Sequence, residues 1–173
     1  MTTDRFGIPG NVFGAHDEDF FSALGRVAAL SALIEHQALV TFQTMTNALQ
    51  SEHTQLAASQ LTEKACKALR PINDDQHKQT LQRYFQDVGA ALRERNDYIH
   101  NLWPSQPGDR LFGWRHSRDK NAPADKQYAS LETTMSELKD FILRLVELIQ
   151  RRDCVYVAAS ALQQLELRAK ASS

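Results

Sequence analysis

From Phe20 onward, apolar residues return every three or four positions: Phe20, Leu24, Val27, Ile34, Ala38 and Met45. That spacing gathers them on one face of an α-helix and predicts a buried stripe. The helix should begin after Asp17, whose carboxylate can accept from the unpaired N–H groups of the first turn. Glu18 and Asp19 then sit beside the positive end of the helix dipole. It should run to about Leu49. A second helix is predicted from about Glu52 to Leu69, built on Leu56, Leu61, Ala65, Ala68 and Leu69 and stopped by Pro71. Asn73 opens a third, with Gln76 placed three residues on for a capping box. Its face is Leu81, Phe85, Val88, Leu92, Ile99 and Leu102, and Pro104 ends it. A fourth helix is expected after Ser130, with Glu132 in its first turn and Leu131, Met135, Leu138, Ile142, Leu145 and Ile149 buried. Arg151-Arg152-Asp153 should bend or end it, and Val155, Leu162 and Leu165 continue an amphipathic helix.

Between Pro104 and Ala129 the periodicity disappears. Pro107-Gly108-Asp109 reads as a turn, and Leu111-Phe112-Gly113-Trp114 as a short strand or a packed loop. So long an irregular connection in a compact domain is usually functional or disordered. At the other end, Gly7, Pro9, Gly10 and Gly14 mark residues 1–16 as a loosely ordered arm. The expected architecture is all-α: an antiparallel bundle of four to five helices over residues 17–169, with a long loop between the third and fourth helices. Residues 170–173 should form a frayed tail.

Composition narrows the partners. The chain has 173 residues, long enough for one domain without a disulfide or metal to staple it. A net charge of -1 gives no overall attraction to nucleic acid or anionic lipid, so a nucleic-acid partner must be held by a local patch. No apolar run approaches the length of a spanning helix, and the first residues lack a basic stretch followed by an apolar one. A soluble cytoplasmic protein with no membrane association is expected, with Cys66 and Cys154 as reduced thiols.

The third helix carries the chemistry. Its apolar alternation skips one position, Arg95, which at roughly 100° per residue falls inside the arc of Leu81, Val88, Leu92, Ile99 and Leu102. A guanidinium there cannot shed its charge and must find a partner if buried. Asn96 and His100 are one turn apart and share a face, with Trp103 three residues further on the same side. Two readings are open. In one, Arg95 pairs with Glu35 of the first helix as a structural ion pair, and His100 caps the end of the third helix. In the other, the cation, amide and imidazole form a site.

The run Arg95-Asn96-Asp97-Tyr98-Ile99-His100 resembles the R-x4-6-H signature of the HEPN superfamily, including the polar residue that often follows the arginine. Its setting is similar too, late in a long helix and ahead of a loop and another amphipathic helix. The resemblance covers about residues 18–150. It implies a helical bundle, frequently dimeric, and in many members a metal-independent endoribonuclease of toxin–antitoxin, phage-defence or RNA-processing systems. On this resemblance Arg95 and His100 are the catalytic pair and Asn96 assists. RNA is the substrate, no cofactor is needed, and a homodimer and an antitoxin-type protein are candidate partners. The chain departs from some HEPN toxins, which carry a modifiable tyrosine two residues after the histidine. Leu102 stands there instead.

Downstream, Arg110, Arg115, Arg118, Lys120 and Lys126 are interleaved with Trp114, His116 and Tyr128, a mixture that suits phosphate contact and base stacking. With Trp103, the residues Arg110, Trp114 and Arg115 are therefore candidate substrate contacts. Asp109, Asp119 and Asp125 dilute the charge, as in an ordinary solvated loop. No metal site is expected, because Glu35-His36 and Glu52-His53 are adjacent pairs that point to different helix faces. No phosphate-binding loop, dinucleotide fingerprint or nucleophile elbow occurs. The alternative to an enzyme is a non-catalytic HEPN-like module that dimerises and binds nucleic acid or a protein, and a third reading is a purely structural bundle.

Overall fold

A computed structural model describes residues 3, 6–9, 16, 18–49, 51–73, 75–104, 110–117 and 127–171. The expected cap at Asp17, the turn at Pro107-Gly108-Asp109 and the cations Arg118, Lys120 and Lys126 lie outside them. In chain order the elements are α1 (Glu18–Thr46), α2 (Ala58–Leu69), α3 (Asp75–Ile99), β1 (Arg110–His116), β2 (Tyr128–Thr134), α4 (Met135–Gln150) and α5 (Arg152–Ala171). Among the described residues five helices dominate, but the expectation of an all-α chain needs correction. The long connection between the third and fourth helices holds an antiparallel pair of strands, joined from Arg110 opposite Thr134 to His116 opposite Tyr128.

The helices begin and end for local reasons. Of the stripe predicted on α1, Phe20, Val27, Ile34, Ala38 and Met45 are buried. The helix stops three residues earlier than expected because Asn47 adopts φ 52. The Ala48 N–H then bonds to the Gln43 carbonyl at 2.9 Å, and the Asn47 N–H to Thr44 at 3.3 Å, closing the helix in a left-handed cap. The predicted second helix loses its first six residues. Turns occupy 51–55, and His53 sits at φ 65, a conformation no α-helix can pass through. α2 starts instead where Gln60 Oε1 accepts the Ala57 N–H at 3.2 Å.

α4 also starts later than expected. Residues 128–134 pair in β2, so Leu131 and Glu132 belong to a strand. The helix is opened by Thr134 and Glu137. The Glu137 N–H bonds to the Thr134 hydroxyl at 3.2 Å, and the Thr134 N–H to the Glu137 carboxylate at 2.8 Å. This reciprocal capping box satisfies two of the helix's unpaired donors.

By contact density the chain divides into two compact units, one of residues 1–28 and 95–143, the other of residues 29–94 and 144–173. In the second unit, Leu81, Tyr84, Phe85 and Val88 of α3 are buried, as are Leu61 and Leu69 of α2 and Val155, Ala159 and Leu162 of α5. Asp87 pairs with Arg151 at 2.5 Å, and Glu94 pairs with Arg144. As the α3 number rises the partner's number falls, so α3 and α4 run antiparallel. In the first unit, Phe20, Tyr98, Leu138 and Phe141 are buried, and the Tyr98 and Phe141 rings stack at 5.1 Å. Among the described residues no helix is long and apolar enough to cross a membrane.

Candidate functional site at the end of the third helix

The last turn of α3 carries the motif. Helical bonding persists to His100, whose N–H bonds to the Asn96 carbonyl at 3.1 Å. The chain then leaves the helix, four residues before Pro104. Leu102 forms a two-way backbone bridge with Trp114 of β1, at 2.8 and 3.0 Å. The expected helical positions of Leu102 and Trp103 are thereby corrected. Leu102 is not a core residue but is 60% exposed, and the buried face of the last turn is completed by Tyr98, at 5%. A strand that can hydrogen-bond the chain just past His100 competes with continuation of the helix, and here it wins.

Arg95, Asn96 and Asp97 are half-buried, and His100 is exposed. Arg95 is not a free cation; it has an interaction of its own. Its candidate partner Glu35 belongs to the other compact unit. Asn96 and His100 remain one turn apart on α3, as the sequence requires. Arg115 reaches back from β1, donating to the Asn96 carbonyl at 3.0 Å and pairing with Asp97 at 2.5 Å. With only 24% of its side chain exposed, Arg115 braces the motif turn. A half-buried, bonded guanidinium of this kind contributes more than an exposed pair would.

The other candidate contacts are dispersed. Arg110 is exposed and pairs across the strands with Glu132 at 2.7 Å. Trp114 is half-buried in a ring cluster with Tyr128 at 5.5 Å and His116 at 6.4 Å, a cross-strand arrangement that stabilises the hairpin. Trp103 donates its indole N–H to the Tyr98 carbonyl at 2.9 Å and meets Phe20 edge-on at 5.7 Å. Its own carbonyl is bonded to His16 Nε2 at 2.7 Å.

Beside the motif, Trp103, Tyr98, Phe20 and His16 line a cleft of about 690 Å³ within the first unit, which Arg110 and Trp114 do not reach. Phe21, Ile99, Leu102 and Trp103 are among its apolar walls, and Glu18, Ser22 and Asn101 supply polar atoms. Periodicity did not single out Phe21, Asn101 or His16 for this role, because the cleft forms only where the chain leaves the helix. No group of three or more His, Cys, Asp or Glu side chains that could hold a metal ion occurs among the described residues. No family model, no curated protein and no solved structure matches the chain.

Proposed function

We propose that the chain is a HEPN-like, metal-independent endoribonuclease, with Arg95, Asn96 and His100 as its working groups. The observation that carries this reading is the state of the motif turn. It presents an exposed imidazole one turn from an amide, and it is held in place by Arg115 from another element. A catalytic turn needs such positioning, since small displacements of a reacting group are costly.

The chemistry is simple to balance. The 2′-hydroxyl of RNA attacks the adjacent phosphorus, the P–O2′ bond forms and the P–O5′ bond breaks. The 2′ proton must leave and the 5′ oxygen must gain one, which yields a 2′,3′-cyclic phosphate and a 5′-hydroxyl. The imidazole of His100 suits one of these transfers, since it can accept or donate a proton. A planar guanidinium suits the charge on the phosphorane oxygens. Asn96 orients the imidazole or a phosphate oxygen. A homodimer would bring two motif turns to one RNA and supply the second proton-transfer group, and an antitoxin-type protein would restrain it in a toxin–antitoxin or phage-defence setting.

The test is incubation of the purified chain with single-stranded RNA in EDTA, beside Arg95→Ala and His100→Ala. Cleavage that survives EDTA and is lost in both variants is expected. Failure to cut any RNA, total cellular RNA included, would sink the enzymatic reading. One observation favours the non-catalytic alternative: the cleft beside the motif is mostly aromatic and aliphatic, as in a binding site. RNA binding without cleavage is its signature.

A further inference from the structure

The cleft has a feature that packing alone leaves unexplained. Asn101 is 9% exposed and lines it, yet its side-chain oxygen is buried with no hydrogen-bond partner among the described residues. Buried acceptors are nearly always satisfied, and an orphan just behind a cleft wall points to a donor that arrives with a ligand as the Asn101 side chain turns into the cleft. The surrounding walls fit a flat ring. The Trp103 indole is fixed by its bond to the Tyr98 carbonyl and by Phe20. Phe21 keeps 42% of its surface exposed, and Leu102 keeps 60%. Aromatic side chains and an amide lining one cleft are how single-stranded bases are held, by stacking and by edge recognition.

We infer that this cleft is an adenine subsite for single-stranded RNA, with Asn101 reading the base edge and Phe21 and Trp103 stacking on it. An asparagine amide matches adenine because its oxygen accepts from the N6 amine while its nitrogen donates to N7. The same edge of guanine offers two acceptors and leaves the amide oxygen without a donor. A volume of about 690 Å³ accommodates a purine with its sugar. Asn101 and Leu102 directly follow His100 in the chain, so the subsite adjoins the motif turn. The inference rests on the proposed ribonuclease reading for its substrate class, and it names the nucleotide that reading leaves open.

The experiment uses the full chain carrying His100→Ala, so that bound RNA is not cut. Fluorescence anisotropy would compare the labelled RNA pentamers UUAUU, UUGUU and UUUUU, a pentamer abasic at its centre, and competition by free AMP. The adenine pentamer should bind roughly 5- to 150-fold tighter than the uridine and abasic pentamers, the range set by one bidentate base contact. It should also outbind the guanine pentamer. Adding Phe21→Ala should weaken binding by a similar factor through lost stacking.

Asn101→Leu is the decisive variant. It removes the orphan oxygen at similar volume, so adenine preference should vanish while the melting temperature stays equal or rises. A lower melting temperature would show a structural amide and overturn the assignment, as would retained preference. Equal binding of the adenine and uridine pentamers by the parent also overturns it. AMP competing as well as the adenine pentamer would replace RNA with a free nucleotide as the occupant. Adenine-dependent binding by a chain whose wild type never cleaves RNA keeps the subsite and removes the enzyme. Cleavage without adenine preference does the reverse.

Discussion

Gly113→Ala adds one methyl group at the point where β1 crosses the chain leaving α3. An ideal Cβ there would lie 2.9 Å from Trp103 Cε3 and Cζ3 and 3.0 Å from Asn101 Cβ. Carbon pairs rest at about 3.5–4.0 Å, so the indole must retreat by roughly 0.5–1 Å. It is poorly placed to do so, being tied to the Tyr98 carbonyl at 2.9 Å and flanked by Phe20. Two effects compete. Alanine loses less conformational freedom than glycine and gains about 0.5–1 kcal/mol in a strand. Overpacking costs about 1–3 kcal/mol. The clash wins, for a net loss of about 1–2 kcal/mol and a fall in Tm of roughly 2–8 °C. Gly25→Ala provides the contrast. It lies inside α1 with nothing within 4 Å of its added Cβ, and it should gain about 0.5–1 kcal/mol. Both tryptophans, Trp103 and Trp114, belong to the same compact unit, so tryptophan fluorescence during a thermal melt reads this region directly. A Gly113→Ala protein that melts at or above the wild-type temperature with unchanged emission would refute the reasoning.

The capping box of α4 makes two predictions. Thr134→Ala removes the acceptor for the Glu137 N–H and should cost about 1 kcal/mol, read as a lower Tm. The Thr133 hydroxyl first, then the Thr134 N–H and hydroxyl, hold the Glu137 carboxyl below its ordinary value of 4.5. The unfolded chain therefore binds this proton more readily than the folded one. The associated stability is present above 4.5 and is lost as the pH falls through the lower folded value. Glu137→Gln should melt with a shallower loss on acidification than the wild type, and parallel curves would contradict this. Tyr84 is fully packed with its hydroxyl buried and without a hydrogen-bond partner among the described residues, and burial pushes its phenol well above the usual range. Tyr84→Phe should leave stability unchanged or raise it by up to about 1 kcal/mol in a denaturant titration, and a clear loss would expose a bond the hydroxyl makes.

Much of the helical frame was legible in the order of residues. The buried faces of α1, α3 and α5 follow from the three-four spacing, because helical periodicity is a local property and needs no partner to be read. The capping box of α4, Thr134-Met135-Ser136-Glu137, was not singled out. The apolar pattern beginning at Leu131 suggested an earlier start, and Leu131 and Glu132 proved to be strand. Whether residues 128–134 form a first helical turn or a strand depends on β1, and that pairing cannot be seen in either segment alone.

The candidate site divides in the same way. The sequence by itself determined that Arg95 interrupts an apolar stripe and that Asn96 and His100 lie one turn apart, since both follow from the helical repeat. Tertiary structure decided where the helix ends and what stands beside it. The Leu102–Trp114 bridge ends the helix before Pro104 can, Arg115 braces Asp97 and the Asn96 carbonyl, and Asn101 is left beside an aromatic cleft with a buried oxygen that has no partner among the described residues. These are meetings between residues 12 or more positions apart or consequences of them. Their energies come from strand pairing and desolvation, neither of which a local pattern records.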